Sequence, residues 1–450
     1  MKTQSSETSS TAQLAAANAI LPILIGETDH HQVVLAGYAG TGKTWLTGYI
    51  VGRLHEAGYS VAAITHANKA LGVLRDSLPT PTEHGAAITC MTMFRALGWR
   101  PNTITGGRVQ AGNHRLSGYD VLVVDEASMV DGEMYERLQA ISGAREDNPL
   151  RILWVGDPAQ LPPVSDSNEL SPVFTAIPHQ ERLTEIVRQA KDSPIIRGSM
   201  YVRGCLERAE RPDLERLRDI AGGDVVSLVQ GGVSSVAEWT ISAIEHGMDC
   251  AAVAWTNKSV QTVAGIVNRH FHPPGSERLI AGDLVTFGRG FYPIAFTDEQ
   301  ARVVEVGERV RHGPLQIECL PVTLSIRGEQ REVMTPVDQT DAHAQMAKLR
   351  KNRNHAKRNA KLAEDQGAHD EASKWREKMH EHGTALKECE DTYADLRPRY
   401  ALTAHKAQGS TYDAVVIDWQ DMQKNSDVKM LCRLLYVAVT RPSKYLVICF

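Results

Sequence analysis

The chain has 450 residues, of which 42% are hydrophobic and 23% are charged, and its formal net charge is −5 at pH 7. This composition is typical of a soluble globular protein of roughly three domains. The net charge gives no overall signal for nucleic-acid binding, so a nucleic-acid partner would have to be held by a local groove. The seven cysteines lack metal-ligand or disulfide spacing, no apolar run could cross a membrane and the N-terminus lacks a signal-peptide core, so we expect a cytoplasmic protein without zinc.

The first chemical signal is a glycine-rich turn between an apolar segment and a helical one. Residues 31–36 are β-rich, GYAGTGKT follows as residues 37–44, and helical spacing then runs on to Gly58. A GxxxxGK[ST] sequence between a strand and a helix is typical of a P-loop, whose backbone N–H groups converge on phosphates. We therefore predict an ATP site with Lys43 at the β- and γ-phosphates and the Thr44 hydroxyl on Mg²⁺. The predicted loop residues are Gly37, Gly40, Thr41, Gly42, Lys43 and Thr44.

Two further apolar strands end in polar residues that suit the same site. The stretch YDVLVVDEASMV is apolar from Val121 to Val124 and then gives Asp125 and Glu126. We expect Asp125 to hold Mg²⁺ and Glu126 to polarise the attacking water. The stretch RILWVGD leads to Gln160, whose amide could hydrogen-bond the γ-phosphate. Continuously apolar strands favour a parallel sheet covered on both faces, so the first domain is predicted to be doubly wound, with ATP at the carboxyl ends of its strands.

Short apolar strands recur towards the end of the chain and predict a second lobe of the same kind. They are CAAVAWTN at 250–257, YDAVVID at 412–418 and KYLVICF at 444–450, with helical stretches between them. Two arginines, Arg188 and Arg441, lie in segments that could face a cleft between the lobes. An arginine supplied across such a cleft stabilises charge on the γ-phosphate, with a rate effect of about 10³-fold or more.

The order of these motifs resembles that of superfamily 1 helicases. The segments GYAGTGKT, AAITHANKA, MTMFRAL, DEASMV, GDPAQLPPV, LTEIVRQ, TAHKAQGST and LLYVAVTR follow one another along nearly the whole chain. The set is similar to that of the RecD-like branch, and the length and segment order resemble Dda-like helicases within it. The resemblance implies two RecA-like lobes, use of ATP and Mg²⁺, and 5′→3′ movement on single-stranded DNA. Nothing in the residues themselves fixes that direction.

The resemblance also implies further site residues. Gln13 stands where the family has an adenine-reading glutamine, Gly409 would approach the γ-phosphate, and Tyr436 would pack near the base. Phe94 stands where relatives usually carry histidine, which leaves a base-stacking face and core packing as equal alternatives. The residues predicted at DNA are Thr65, His66, Lys69, Thr92, Phe94, Thr256, Asn257, Thr403 and His405. Of these, Thr256 and Asn257 are assigned because they directly follow a core strand.

A first insertion is predicted before the Asp125 strand. Residues 103–105 and 108–110 flank Gly106 and Gly107, a strong hairpin-turn signal. In Dda-like helicases an insertion here is a pin that splits the duplex. An ordinary surface hairpin is the alternative.

A second insertion has a β-rich half and a helical half. From about residue 282, the pieces GDLVTF, ARVVEV, LQIECLPVTLSI and REVMTP are consistent with a small SH3-like barrel. Spacings of three and four on either side of Gly367 then predict an antiparallel helical hairpin, as in the tower of Dda-like proteins. Its first helix carries KLRKNRNHAKRNAK, residues 348–361, which is either a phosphate-binding surface or a solvated face. The predicted seams are Ala342, Met346, Leu349, Arg353, Ala356, Ala360 and Ala363, and Ala372, Trp375, Met379, His382, Leu386, Cys389 and Tyr393.

We therefore predict an α/β protein with two RecA-like P-loop NTPase lobes built on parallel sheets. Lobe 1 spans 1–180 and contains the pin insertion 88–119. Lobe 2 comprises 181–282 and 398–450, and the SH3-like barrel with its helical tower occupies 283–397.

The predicted function is an ATP-dependent DNA helicase that works as a monomer on single-stranded DNA and on tailed or forked duplexes. It would serve DNA replication, repair or recombination, with a replication or single-strand-binding protein as a candidate partner. The alternatives are a 3′→5′ helicase, a nucleic-acid-dependent ATPase that remodels protein–DNA complexes without unwinding, and a binding module with an inactive ATP site.

Overall fold

A computed structural model describes residues 10–66, 68–79, 87–101, 108–144, 148–163, 170–186, 193–291, 294–295 and 299–450. The chain divides into two compact units. The first comprises Met1–Leu97, His114–Val263 and Tyr400–Phe450, and the second comprises Gly98–Asn113 and Ala264–Arg399. Within the described part of the chain, no helix has both the length and the apolar character that a membrane span requires.

The first unit contains a six-stranded sheet in which every strand pair is parallel. Its inner strands are apolar and buried, for example Val121–Val124, as expected for a sheet covered on both faces. The strands, in spatial order, are Ile88–Thr92, Val61–Thr65, Val121–Val124, Arg151–Gly156, Gln32–Gly37 and Gln180–Leu183. Residues 88–92, which we predicted to be part of the pin insertion, therefore form a strand of this sheet.

The helices of this lobe pack their apolar residues on the sheet. The first helix begins with a capping box, in which Ser10 and Gln13 bond each other's backbone N–H, and it ends at Gly26 with φ of 84°. Its buried residues Ile20 and Leu24 join the core formed with Leu35 and Leu46. The described helices are Thr11–Ile25, Lys43–Glu56, Asn68–Ser77, Met93–Leu97, Gly132–Gly143 and Val173–Ala176, with a 3₁₀ turn at Ala127–Met129.

A second parallel sheet of five strands confirms the second lobe. Its strands, in spatial order, are Ala401–Thr403, Cys250–Ala254, Tyr412–Asp418, Pro442–Cys449 and Val226–Val229. The helices that accompany it are Pro194–Arg208, Leu214–Ala221, Val233–Glu245, Asn257–Phe271, Ala404–Ala407, Trp419–Met422 and Val428–Val439. The helix Val428–Val439 is almost entirely buried, because it packs within the core of this lobe.

A short antiparallel hairpin lies in the second unit. Trp99–Pro101 pairs with Arg108–Gln110, and Trp99 Nε1 donates to Gln110 Oε1 at 3.0 Å. The strand predicted at 103–105 and the turn at Gly106 and Gly107 lie outside the described residues. The stretch that leaves the first unit, Gly98–Asn113, is shorter than the predicted 88–119.

The rest of the second unit contains an antiparallel sheet. Its strands are Leu284–Phe287, Gln300–Val306, Val310–His312, Ile317–Ile326, Glu329–Pro336 and Leu396–Pro398. Asp395 precedes the last of these strands and is buried against Arg397 at 2.7 Å and His343 at 3.4 Å. Burial would raise the pKa of the Asp395 carboxyl, but hydrogen bonds from His343 and Arg397 bring it far below its usual value.

Two long helices, Gln339–Asp365 and His369–Thr392, follow one another across a turn at Gly367, where φ is 73°. The first helix buries six of its seven predicted seam positions, and Leu349 is half-buried. The second buries Ala372, Leu386 and Cys389, while Trp375 is half-buried. Alanines at the contact let the two helices approach closely.

Candidate functional site

The glycine-rich turn has the backbone of a phosphate-binding loop. Gly40 and Gly42 have φ of 76° and 78°, a left-handed conformation that glycine adopts without strain. The helix begins directly afterwards, at Lys43. Thr41 is buried, and its hydroxyl donates to the Tyr38 carbonyl at 2.9 Å. The loop is therefore closed on itself at the N-terminus of a helix, the geometry that phosphate binding uses.

Lys43 rests on the loop's own carbonyls. Its Nζ donates to the oxygens of Gly37 at 2.8 Å and Tyr38 at 2.9 Å. To bind the β- and γ-phosphates it would exchange these two bonds for bonds to phosphate oxygens. Thr44 lies one residue into the helix and is exposed, so its hydroxyl is accessible to a cation.

Gln13 lies against the same loop. It is buried, and its Nε2 donates to the Thr41 carbonyl at 3.1 Å while its Oε1 accepts from the Ser10 N–H at 3.0 Å. The helix cap therefore sets the position of the amide that the resemblance assigns to the adenine.

Two carboxyl groups end the strand Val121–Val124, at the same edge of the sheet as the loop. Asp125 is half-buried, and desolvation together with the charge of Glu126 raises its pKa to about 7. Burial also raises the pKa of Glu126, while Arg441 and Lys43 lower it. Glu126 has φ of 54°, a strained backbone for a residue with a side chain. Two adjacent carboxyls whose pKa values are raised despite the nearby Lys43 and Arg441 suit Mg²⁺, which prefers oxygen ligands.

Gln160 meets the second lobe directly. Its Oε1 accepts from Gln408 Nε2 at 2.7 Å, and the same Nε2 lies 3.0 Å from the Ser128 hydroxyl. Arg441 is buried, so its pKa is lowered, and the charge of Glu126 opposes that shift. Arg441 Nη1 donates to the Ser410 carbonyl at 3.2 Å. The structure thus brings Glu126, Gln160 and Arg441 to one place, between the carboxyl ends of the two sheets.

The structure describes two of the three remaining predicted residues, Gly409 and Tyr436. Gly409 has φ of 72° and follows Gln408 directly. The Tyr436 hydroxyl lies on the loop, accepting from the Ala39 N–H at 3.2 Å and donating to Asp157 at 2.6 Å. Arg188 lies outside the described residues.

The residues predicted at DNA form two groups, one at the carboxyl end of each sheet. In lobe 1 the strand register sets Thr65 beside Thr92. The Thr65 hydroxyl is buried and has no hydrogen-bond partner within the described ranges. His66 follows Thr65 and is half-buried, as is Phe94. Lys69 lies on the helix Asn68–Ser77, and its side chain is outside the described part.

In lobe 2 the strand register sets Ala254 beside Thr403, so Thr256 and Thr403 lie near one another. Thr403 caps the helix Ala404–Ala407, accepting from the Lys406 N–H at 3.4 Å. The Thr256 hydroxyl donates to Asp421 at 2.8 Å. Asn257 is exposed, and burial lowers the pKa of His405.

Sequence reasoning missed several residues of the site. Gln408 and Asp157 lie inside the quoted segments TAHKAQGST and GDPAQLPPV, so their motifs were the available signal. Asp421, which accepts from the backbone N–H of both Trp255 and Thr256, carried no signal. Arg203 carried none either, because it lies in an ordinary amphipathic helix.

Comparison with known proteins agrees with this geometry. The AAA domain family matches residues 9–205, and the UvrD-like helicase C-terminal domain matches residues 398–449. The ATP-dependent DNA helicase dda of Enterobacteria phage T4 is 24% identical over 444 residues, which cover 93% of this chain and 94% of that protein. These matches show that the chain is similar to helicases of the RecD- and Pif1-like branch of superfamily 1.

Two further known proteins resemble the chain, one over part of its length and the other over nearly all of it. The ATP-dependent RecD2 DNA helicase of Deinococcus radiodurans is 33% identical over 172 residues, which cover 38% of this chain and 21% of that one. A solved structure on DNA unwinding at forked duplexes by two coordinating Pif1 helicases has a TM-score of 0.50 at 15% identity, covering 98% of this chain and 91% of that one. The second likeness supports the fold.

Proposed function

We propose that this chain is an ATP-dependent DNA helicase that moves 5′→3′ on single-stranded DNA and unwinds tailed or forked duplexes. The observation that carries the proposal is the hydrogen bond between Gln160 and Gln408, because it joins the two lobes beside Glu126 and Arg441. A site built from both lobes is disassembled when they separate, so ATP turnover and lobe movement are coupled. The T4 relative, which matches the chain over nearly its whole length, is named an ATP-dependent DNA helicase.

The hydrolysis chemistry follows from the positions of these side chains. Thr44 and Asp125 would hold Mg²⁺ together with phosphate oxygens, and the cation would neutralise charge on the β- and γ-phosphates. Glu126, whose pKa burial raises, accepts a proton from the attacking water. Gln160 and Gln408 can hydrogen-bond the γ-phosphate, and Arg441 stabilises the charge that develops there.

Movement on DNA follows from the two groups of polar residues. One group, with Thr65 and Thr92, belongs to lobe 1, and the other, with Asn257 and Thr403, belongs to lobe 2. Closing and opening the lobes around ATP changes the distance between the groups, which advances the protein along a strand. The buried, unpartnered Thr65 hydroxyl suits a phosphate contact.

Duplex separation is assigned to the hairpin of Trp99–Pro101 and Arg108–Gln110. Residues 98–113 group in one compact unit with Ala264–Arg399, which supports a pin braced by the antiparallel sheet and the two long helices. We assign these last elements as an SH3-like barrel and a tower.

The exposed face of the helix Gln339–Asp365 would bind DNA phosphates. Four cations on it are exposed, and no ion pair of theirs is found within the described residues. Arg350, by contrast, pairs with Glu390 at 3.1 Å, and Arg376 of the next helix pairs with Glu364. The four are Lys348, Lys351, Arg358 and Lys361. Exposed cations of this kind can neutralise DNA phosphates, which releases the counterions condensed on the DNA.

We propose a cytoplasmic location from the state of the cysteines. All seven cysteines are free and six are buried, which suits a reducing cytoplasm. We propose that the protein acts as a monomer, with a replication or single-strand-binding protein as partner.

The deciding experiment is strand displacement with Mg²⁺ and ATP on two partial duplexes, one with a 5′ tail and one with a 3′ tail. Displacement from the 5′ tail alone is expected. Displacement from the 3′ tail alone would keep the helicase and reverse its direction. ATP consumption on single strands without displacement would leave a translocase that remodels protein–DNA complexes.

A further inference from the structure

A buried cluster beside the phosphate loop joins the two lobes at a second place. Asp157 follows the strand Arg151–Gly156 and is 0% exposed. Its Oδ1 accepts from Arg203 Nη1 at 2.9 Å and from the Ala159 N–H at 2.9 Å, and its Oδ2 accepts from the Tyr436 hydroxyl at 2.6 Å. Three donors offset the desolvation of a buried carboxylate.

Two of those donors come from lobe 2. Arg203 lies on the helix Pro194–Arg208 and Tyr436 on the helix Val428–Val439, and both helices pack in the core of that lobe. Each residue is itself buried, at 8% and 1% exposure. Lobe 2 therefore supplies two of the three hydrogen-bond donors to this carboxylate of lobe 1.

The same two residues contact the phosphate loop. The Tyr436 hydroxyl accepts from the Ala39 N–H at 3.2 Å, and the Arg203 guanidinium lies 3.4 Å from the centre of the Tyr38 ring. On the other side of this stretch, the carbonyls of Gly37 and Tyr38 hold Lys43. One short stretch of the loop thus touches both the catalytic lysine and the second lobe.

We propose that Asp157, Arg203 and Tyr436 form a closure latch, which fixes the first half of the phosphate loop when the lobes are together. The proposal rests on the proposed ATPase function. When the lobes part, Asp157 exchanges two protein donors for water and the Ala39 N–H loses its acceptor. None of the three residues touches the reacting atoms, so all three are positioning residues.

The latch makes a prediction that separates it from simple packing. Binding of ADP requires the loop of lobe 1, whereas a mimic of the transition state requires Glu126, Gln408 and Arg441 around it, and hence closed lobes. Loss of the latch must therefore weaken binding of the mimic more than binding of ADP. A purely structural role would weaken both alike or lower only the melting temperature.

The test is titration of fluorescent ADP with Mg²⁺, with and without aluminium fluoride, on the full chain. Tyr436→Phe keeps the ring and removes both hydrogen bonds, and Arg203→Lys keeps the charge but loses the planar face over Tyr38. Tyr445→Phe is the matched control, because Tyr445 is 47% exposed. Melting temperatures measured without nucleotide show whether each variant is folded.

For Tyr436→Phe we expect the preference for ADP–aluminium fluoride over ADP to fall about tenfold or more, with ADP affinity falling by a clearly smaller factor. Arg203→Lys should fall less, and Tyr445→Phe should match the wild type. An unchanged preference in Tyr436→Phe, or equal loss of both affinities, overturns the latch. A wild-type chain that binds neither form overturns the proposed function itself.

Discussion

Replacing Asp125 with asparagine should stabilise the nucleotide-free protein, and the gain should depend on pH. Desolvation and Glu126 raise the pKa of Asp125 from 3.8 to about 7. One pKa unit corresponds to about 1.4 kcal/mol, so an ionised Asp125 costs the native state up to about 4 kcal/mol. Because the carboxyl is half-buried and Glu126 can share the proton, we expect a gain of about 2 kcal/mol, which for a chain of this length is roughly 2–3 °C in melting temperature.

The sign of the pH dependence follows from the direction of the shift. Below pH 4 the carboxyl is protonated in the folded and the unfolded chain, so Asp125→Asn changes little. Between pH 4 and 7 the unfolded chain ionises first, and the wild type loses stability that the variant keeps. Above pH 7 the difference is constant.

Thermal melts at half-unit intervals from pH 5 to 8, without nucleotide or Mg²⁺, measure this difference. Asp224→Asn, at an exposed position, is the control and should show no trend. Adding Mg²⁺ and ATP should shrink the gap at pH 8, because the carboxylate then gains a cation. A gap that is equal at pH 5 and 8, or a destabilised variant at pH 8, would refute the electrostatic account of the site.

Three further predictions concern the second unit. The double substitution Lys351→Ala and Arg358→Ala should reduce the slope of log affinity for DNA against log salt concentration by about 1–2, because two phosphate contacts are lost. Lys374→Ala on the neighbouring helix is the control. An unchanged slope in the double variant means that the basic face is only solvated. Deleting residues 103–110 should abolish strand displacement and leave DNA-stimulated ATPase activity, whereas loss of both activities would contradict the proposed role of the hairpin as a pin. Asp395→Asn should destabilise the protein by about 2 kcal/mol at pH 7, as expected for lost charged hydrogen bonds. Since the Asp395 pKa is lowered in the folded state, that difference should begin to shrink as pH falls below about 4 and should be lost only at the much lower pH where the folded-state carboxyl is protonated. A difference that does not shrink at all between about pH 4 and 2 excludes the ionised carboxylate as its source.

The local elements of the site could be predicted because their signals are local. A β-rich run, glycines at two left-handed positions and a helix at Lys43 all lie within a few residues, and the structure has them there. The buried seam of the helix Gln339–Asp365 was predictable for the same reason, since burial follows a spacing of three and four.

Contacts between distant segments could not be predicted. Tyr436 and Ala39 are 397 residues apart, and no pattern in either segment indicates that a hydroxyl meets that N–H. Thr256 was predicted at DNA from its place after a strand, yet its hydroxyl bonds Asp421, 165 residues later. The strand Trp99–Pro101 was missed because a turn signal marks the turn and leaves the length of the paired strands open.

The strand order of the first sheet sets the geometry of a step. The strand that ends in the phosphate loop and the strand that ends in Thr65 are separated by two strands, Arg151–Gly156 and Val121–Val124. At about 4.8 Å per strand, their ends are held about 14 Å apart by unbroken backbone hydrogen bonds. A sheet cannot lengthen in this direction without losing those bonds, so lobe 1 would keep a fixed distance between the proposed nucleotide and DNA sites. In the stepping that we propose, movement along DNA would therefore come from the two lobes moving relative to one another, and not from extension within lobe 1.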